Sequence, residues 1–164
     1  MSLKINLLRF LFISVLGVLL HFTYEWSGSN AVVGLFSAVN ESTWEHLKLL
    51  FFPMLFLTLL EMLFFGTRLP SGYLPARVLG ILAGMGMIVS GFYTIQGILG
   101  RNYDVLNIAL YFVGVLVALL VENRQSVKAS GRAFGYAAFL LLLLSVCFFV
   151  FTFCPPKLGI FQSP

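Results

Sequence analysis

Five apolar stretches, each about as long as a bilayer is thick, constrain this chain more than any other feature. A hydrocarbon core of about 30 Å takes about 20 helical residues to cross. Stretches of that length run over residues 5–24, 43–65, 77–99, 104–122 and 132–153. Backbone N–H and C=O groups find no water inside lipid, so the chain must satisfy them within each segment, as a helix does. The expected fold is all-α, a polytopic membrane helix bundle of about five transmembrane helices in a single domain. Composition agrees: 60% of residues are hydrophobic and 10% are charged, against about 25% charged in soluble domains. The lipid bilayer is therefore the first expected partner. The formal net charge of +4 does not suggest nucleic acid, because the cations stand singly near the ends of apolar runs and form no basic cluster.

Those cations orient the bundle. With the N-terminus inside, one face collects Lys4, Arg9, Arg68, Arg77, Arg124, Lys128 and Arg132, and the other keeps Lys48, Arg101 and Lys157. An excess of Lys and Arg marks the cytoplasmic side. The expected location is the cytoplasmic membrane, with the N-terminus inside and, after five crossings, the C-terminus outside. The N-terminal run reads as a retained first span, since no small-x-small cleavage site follows it. Cys147 and Cys154 are about 10 Å apart along a helix, too far for a disulfide. Pro53 should kink the second span. Gly80 and Gly84 make a GxxxG step suited to close helix packing, read first as packing within the monomer. The fifth span reads as lipid-facing. Between the first two spans, Ala31–Val39 carries apolar residues at helical spacing and is too short to cross, which suggests an interfacial or re-entrant short helix.

Polar residues crowd one predicted face, the outer one. The first span ends His21-Phe22-Thr23-Tyr24-Glu25-Trp26, and the second begins Asn40-Glu41-Ser42-Thr43-Trp44-Glu45-His46-Leu47-Lys48. Asn102 and Asp104 fall on the same side. His21 and Glu25 are one helical turn apart, as are Glu41 and Glu45, and Ser42 and His46. Desolvated carboxylates need a partner or a metal. Two histidines with two or three glutamates suit Zn²⁺, Fe²⁺ or Mn²⁺. His21, Glu25, Glu41, Glu45 and His46 are thus the candidate metal ligands. Glu41, Glu45 and Ser42 are the candidate catalytic groups, and Asn40, Lys48, Asn102 and Asp104 are further polar members.

Each of these residues also has a structural explanation. Ser42-Thr43-Trp44-Glu45 is a capping box, Glu45 with Lys48 makes a helix-surface pair, and Trp26 and Trp44 suit the membrane interface. Capping needs one Ser and one Glu, however, and the density of the cluster favours a pocket. Ser42 and His46 make a poor nucleophile–base pair, because a one-turn step seldom sets up in-line attack and no third group orients it. Glu61 and Glu122 read as structural partners of Arg68 and Arg124. After Pro155-Pro156, the apolar Leu158, Ile160 and Phe161 are expected to fold back over the bundle.

The strings His21-Phe22-Thr23-Tyr24-Glu25-Trp26-Ser27-Gly28 and Val39-Asn40-Glu41-Ser42-Thr43-Trp44-Glu45-His46-Leu47-Lys48 resemble an uncharacterised family of small bacterial integral membrane proteins. So do Gly91-Phe92-Tyr93-Thr94 and the tail from Pro155 to Phe161. That family's tail often carries an Asp before its final Pro, where this chain reads Gln162-Ser163-Pro164. The resemblance implies a shared multi-span fold and brings no activity. The Ser42-x-x-x-His46 step also resembles zinc-dependent intramembrane amidohydrolases of the ceramidase and adiponectin-receptor type, but the chain lacks their late His-x-x-x-His pair.

Three functions remain open from sequence. The first is a metal-dependent hydrolase acting at the outer leaflet on an amphiphilic small molecule. The second is a small transporter or a transporter's substrate-binding subunit, and the third is a non-catalytic accessory or signalling protein.

Overall fold

In the computed structural model, residues 3–124 and 131–163 are described; Lys128 and Pro164 lie outside the described residues. The chain forms α1 (Leu3–Trp26), α2 (Ala31–Gly34), α3 (Thr43–Phe65), α4 (Tyr73–Leu99), α5 (Asp104–Arg124) and α6 (Gly131–Phe153). Five of these are long and apolar enough to cross a membrane, each within a few residues of its expected bounds. The protein is a multi-pass membrane helix bundle, with no strand among the described residues.

Helix α3 is the centre. It packs against α1, α4, α5 and α6, and its Leu50, Phe51, Phe52 and Met54 are fully buried. Its neighbours α4 and α5 meet most closely of all. A Cβ on Gly80 would lie 2.5 Å from the Ala118 carbonyl oxygen, and one on Gly84 would lie 2.8 Å from that of Gly114. The small-residue step thus serves packing within the chain, because only a hydrogen at those positions lets the two backbones approach. Helix α6 is the most peripheral. Phe139, Leu142, Leu143, Val146 and Val150 are exposed for lipid, while Phe148 turns inward onto Phe51 and Phe52.

Pro53 sits inside α3, which continues through it. Proline removes one helical N–H and so frees the carbonyl four residues earlier, which belongs to Leu49. The Tyr111 hydroxyl of α5 lies 3.2 Å from that oxygen and 3.0 Å from the Ile13 carbonyl oxygen of α1, and donates to this pair. One side chain thereby ties three helices together and satisfies a carbonyl that lipid could not.

The segment expected to be helical over Ala31–Val39 makes only one turn, Ala31–Gly34, capped by the Asn30 side chain. Beyond it the chain enters the bundle. Phe36 packs on Phe52, Phe56 and Phe149, and Ser37 and Ala38 are buried. The Ser37 hydroxyl accepts from Tyr24 N at 3.0 Å and Thr23 Oγ1 at 3.1 Å, and donates to the Leu20 carbonyl.

Three cations expected near headgroups lie inside the protein instead: Arg9 is 8% exposed, and Lys48 and Arg77 are 0% exposed. Arg9 bonds Glu61 at 2.6 Å and Glu122 at 3.0 Å. Arg77 reaches the same two carboxylates at 2.6 and 3.0 Å. The Tyr73 hydroxyl donates to Glu61 at 2.6 Å. Glu61 and Glu122 therefore pair with Arg9 and Arg77, and not with Arg68 and Arg124. The resulting ring of two arginines and two glutamates joins α1, α3, α4 and α5 near the end of the bundle opposite the histidines. Buried charges are tolerable only when paired in this way, although Arg77 Nη1 is left without a hydrogen-bond partner among the described residues.

The tail does fold back in part. After Pro155-Pro156 a 3-10 turn, Gly159–Phe161, lays Phe161 on Trp44 and Phe151 at 4.9 and 5.4 Å between ring centres. Leu158 stays exposed. Trp44 is thereby an aromatic core residue at this end, and the exposed Trp26 stacks on Phe22.

Candidate functional site

The end of the bundle that carries the tail also gathers the C-terminal end of α1, the start of α3 and the start of α5. His21 stands on the last turns of α1. Glu41 immediately precedes the cap of α3, and His46 is on the first turn of that helix. Local hydrogen bonds fix this turn. Asn40 Oδ1 accepts from Ser42 N at 2.9 Å, and Ser42 Oγ accepts from Glu45 N at 3.4 Å. Helix α3 can therefore start at Thr43, with Glu41 held just ahead of it.

The three side chains converge. His46 Nε2 lies 3.3 Å from Glu41 Oε2, and His21 Nε2 lies 4.0 Å from Glu41 Oε1. The two imidazole rings are 5.4 Å apart. One ligand atom from each residue falls within 4.8 Å of the others. Two atoms on a zinc ion with bonds of about 2.0–2.1 Å sit about 3.4 Å apart in a tetrahedral site, so small side-chain movements would be enough to let all three reach one ion. The tautomer suits ligation as well. His46 Nδ1 is 2.9 Å from the Ser42 carbonyl oxygen. A carbonyl only accepts, so Nδ1 carries the proton; in a neutral His46 the Nε2 lone pair on the Glu41 side would then be free for a metal, as in sites whose histidines are oriented by a backbone carbonyl.

Two cavities meet at this group. One, of about 250 Å³, is lined by Glu41, Thr43 and His46 with Asn102, Asp104, Asn107 and Tyr111, and by the apolar Leu49, Ile88, Phe92 and Leu110. The second, of about 230 Å³, is almost wholly apolar and lies between α1 and α5, with His21 and His46 in its wall. The structure thus brings Asn102 and Asp104 to the same cavity as Glu41 and His46. Asn107, Tyr111, Thr43 and Phe92 were not read from sequence as belonging to it. Asn107 and Tyr111, one turn apart in the otherwise apolar stretch 105–121 of α5, were the available signal.

Glu45, Lys48, Ser42 and Glu25 stand elsewhere. Glu45 Oε2 lies 2.6 Å from Lys48 Nζ, and this pair is buried, with side-chain exposures of 2% and 0%. It is no surface pair. Lys48 also donates to the carbonyls of Gly34 and Ser37 at 2.9 and 3.2 Å. Glu45 accepts from Val39 N at 3.0 Å and Thr152 Oγ1 at 3.2 Å. All three Lys48 protons are used, and the pair pins the incoming segment and α6 to α3. The capping box is therefore half formed: its Ser caps, while its Glu serves the buried pair. Ser42 is 1% exposed, with no face open to attack. Glu25 is exposed and lies outside the converging group.

Residues 3–164 match the family of unknown function DUF6512. The chain belongs to that family. No curated protein and no solved structure matches the chain, so the site's geometry carries the functional reading.

Proposed function

We propose that this protein is a metal-dependent hydrolase of the cytoplasmic membrane, with a divalent ion held by His21, Glu41 and His46 at the extracytoplasmic face. The observation that carries the reading is the convergence of these three side chains at the junction of two cavities. Two imidazoles and one carboxylate make a three-ligand set that leaves a coordination position open, the pattern of catalytic rather than structural zinc. Zn²⁺, Fe²⁺ and Mn²⁺ all accept such a set. A bound divalent ion would polarise a carbonyl or phosphoryl oxygen and acidify a coordinated water. The chain's own residues orient the ligands and give the substrate its place: His46 through the Ser42 carbonyl, Glu41 through the Asn40–Ser42 turn, and the cavities beside them.

The side assignment rests on cations. With Arg9, Lys48 and Arg77 inside the bundle, the exposed Lys4, Arg68, Arg124 and Arg132 stand at the end opposite the histidines. Arg101 and Lys157 remain exposed at the histidine end, and this bias of four against two supports the reading that the histidine end lies outside. Transport is less well supported. The mid-bundle is packed with fully buried Ile13, Leu50, Met54, Ile81 and Val115, whereas a carrier needs a site near the midplane.

Metal content of the detergent-purified protein, measured beside His21→Ala and His46→Ala, tests the reading. Near-stoichiometric metal lost in both variants supports it. Wild-type protein without metal after addition of Zn²⁺, Fe²⁺ and Mn²⁺ would overturn it.

A further inference from the structure

We propose that the two cavities form one binding cleft for a single-chain amphiphile with a protonated amine in its headgroup, its chain lying between α1 and α5 and its amine at Asp104. The inference deepens the hydrolase reading, on which it rests for the reacting centre. Each cavity alone is smaller than the roughly 300–1,000 Å³ of a small-molecule site, and together they fall within that range. They share His46, Leu49, Asn107 and Tyr111 in their walls, so a ligand filling both passes the His21–Glu41–His46 group.

Polarity assigns the ends of the ligand. The slot between α1 and α5 is walled by Val18, Phe22 and Ile108, which are 41%, 42% and 57% exposed. These residues face lipid, so the slot opens sideways into the bilayer and suits an acyl or alkyl chain. The other cavity is the more polar of the two and carries Glu41 and Asp104, with no Lys or Arg in its lining among the described residues. The nearby Arg101 is turned onto Tyr103, whose ring it covers at 4.8 Å. Asn107 Nδ2 donates to Asn102 Oδ1 at 2.7 Å, which leaves Asn107 Oδ1 and the Asp104 carboxylate as acceptors facing the cavity. When Glu41 serves a metal, Asp104 is the remaining anion in the lining. A headgroup bearing a cation that donates hydrogen bonds complements it, whereas an anionic one meets no cationic side chain there and would be drawn only to the metal itself.

The test uses the protein in maltoside micelles, both metal-loaded and after chelation, with dodecylamine, dodecanoate and dodecanol as probes and thermal stability as the readout. Dodecylamine is expected to raise the melting temperature of the wild type more than either control. Asp104→Asn, which keeps size and hydrogen bonding, should weaken the dodecylamine response about tenfold in concentration. Ile108→Trp, on the lipid-facing wall, should weaken dodecylamine while leaving the weaker response to butylamine intact. Equal responses of wild type and Asp104→Asn, or a dodecanoate response as strong as that to the amine once the metal is removed, would overturn the proposal. Metal content measured on the same samples separates the two readings. Bound metal without amine preference defeats the amphiphile assignment alone, and amine preference without metal defeats the hydrolase centre alone.

Discussion

The Tyr111 hydroxyl donates to the Leu49 carbonyl that Pro53 leaves without its helical partner. The cleft is walled by this same tyrosine. The bond that repairs α3 thus also fixes the spacing of α1, α3 and α5 around the histidines. Tyr111→Phe leaves the Leu49 carbonyl without a donor, since that of Ile13 keeps its helical N–H, at a cost of about 1–3 kcal/mol. Pro53→Ala restores the helical N–H, so the tyrosine should matter less in that background. A double-mutant cycle by detergent thermal denaturation checks this, and a phenylalanine penalty that is the same with and without Pro53 would contradict the assignment.

Gly17 faces the same node. A Cβ there would lie 1.9 Å from Tyr111 Oη and 2.4 Å from the Leu49 carbonyl oxygen, closer than any real contact. Gly17→Ala should force α1 away from α3 and α5 and cost about 1–3 kcal/mol. Gly97→Ala meets nothing within 4 Å and serves as the control. Comparable losses of folded yield and melting temperature in the two variants would refute the close-packing account.

Arg77→Met removes one member of the charge ring and leaves Glu61 and Glu122 to share Arg9 alone. Breaking a buried set in this way costs about 3–5 kcal/mol. The pair replacement Arg77→Met/Glu122→Leu removes both signs together and should be milder than the sum of its singles. Urea or thermal denaturation of the four proteins checks this, with additive losses as the contrary result.

Lys48→Met releases the carbonyls of Gly34 and Ser37 and leaves Glu45 unpaired. Residues 31–42 should then exchange amide hydrogens faster, while α4 and α5 keep their protection. Mass-resolved hydrogen exchange reads this segment by segment. Unchanged exchange over residues 31–42 would mean that the ion pair is not what holds the segment.

The spans were legible because apolar length in lipid leaves one solution. Gly80 and Gly84 were legible because only glycine permits that approach. The charge ring was not. Arg9, Glu61, Arg77 and Glu122 stand on four helices, and helical periodicity names a face of one helix but not the residue across from it. Neighbourhood in sequence suggested Arg68 and Arg124 instead. Glu45 was readable as the partner of Lys48, but its burial depends on residues 34–39 entering the bundle, a long-range event that no local pattern records. The His21, Glu41 and His46 grouping was partly legible from density. Which acids would face the histidines was fixed only by the cap of α3, which turns Glu45 inward and leaves Glu41 beside the rings.

The most direct measurement is inductively coupled plasma mass spectrometry on the purified wild type, His46→Ala, Glu41→Gln and Glu25→Gln. The expected result is about one equivalent of Zn, Fe or Mn in the wild type and in Glu25→Gln, with loss in His46→Ala and Glu41→Gln. Equal metal in all four, or none in the wild type after metal is supplied, would contradict a centre built from His21, Glu41 and His46.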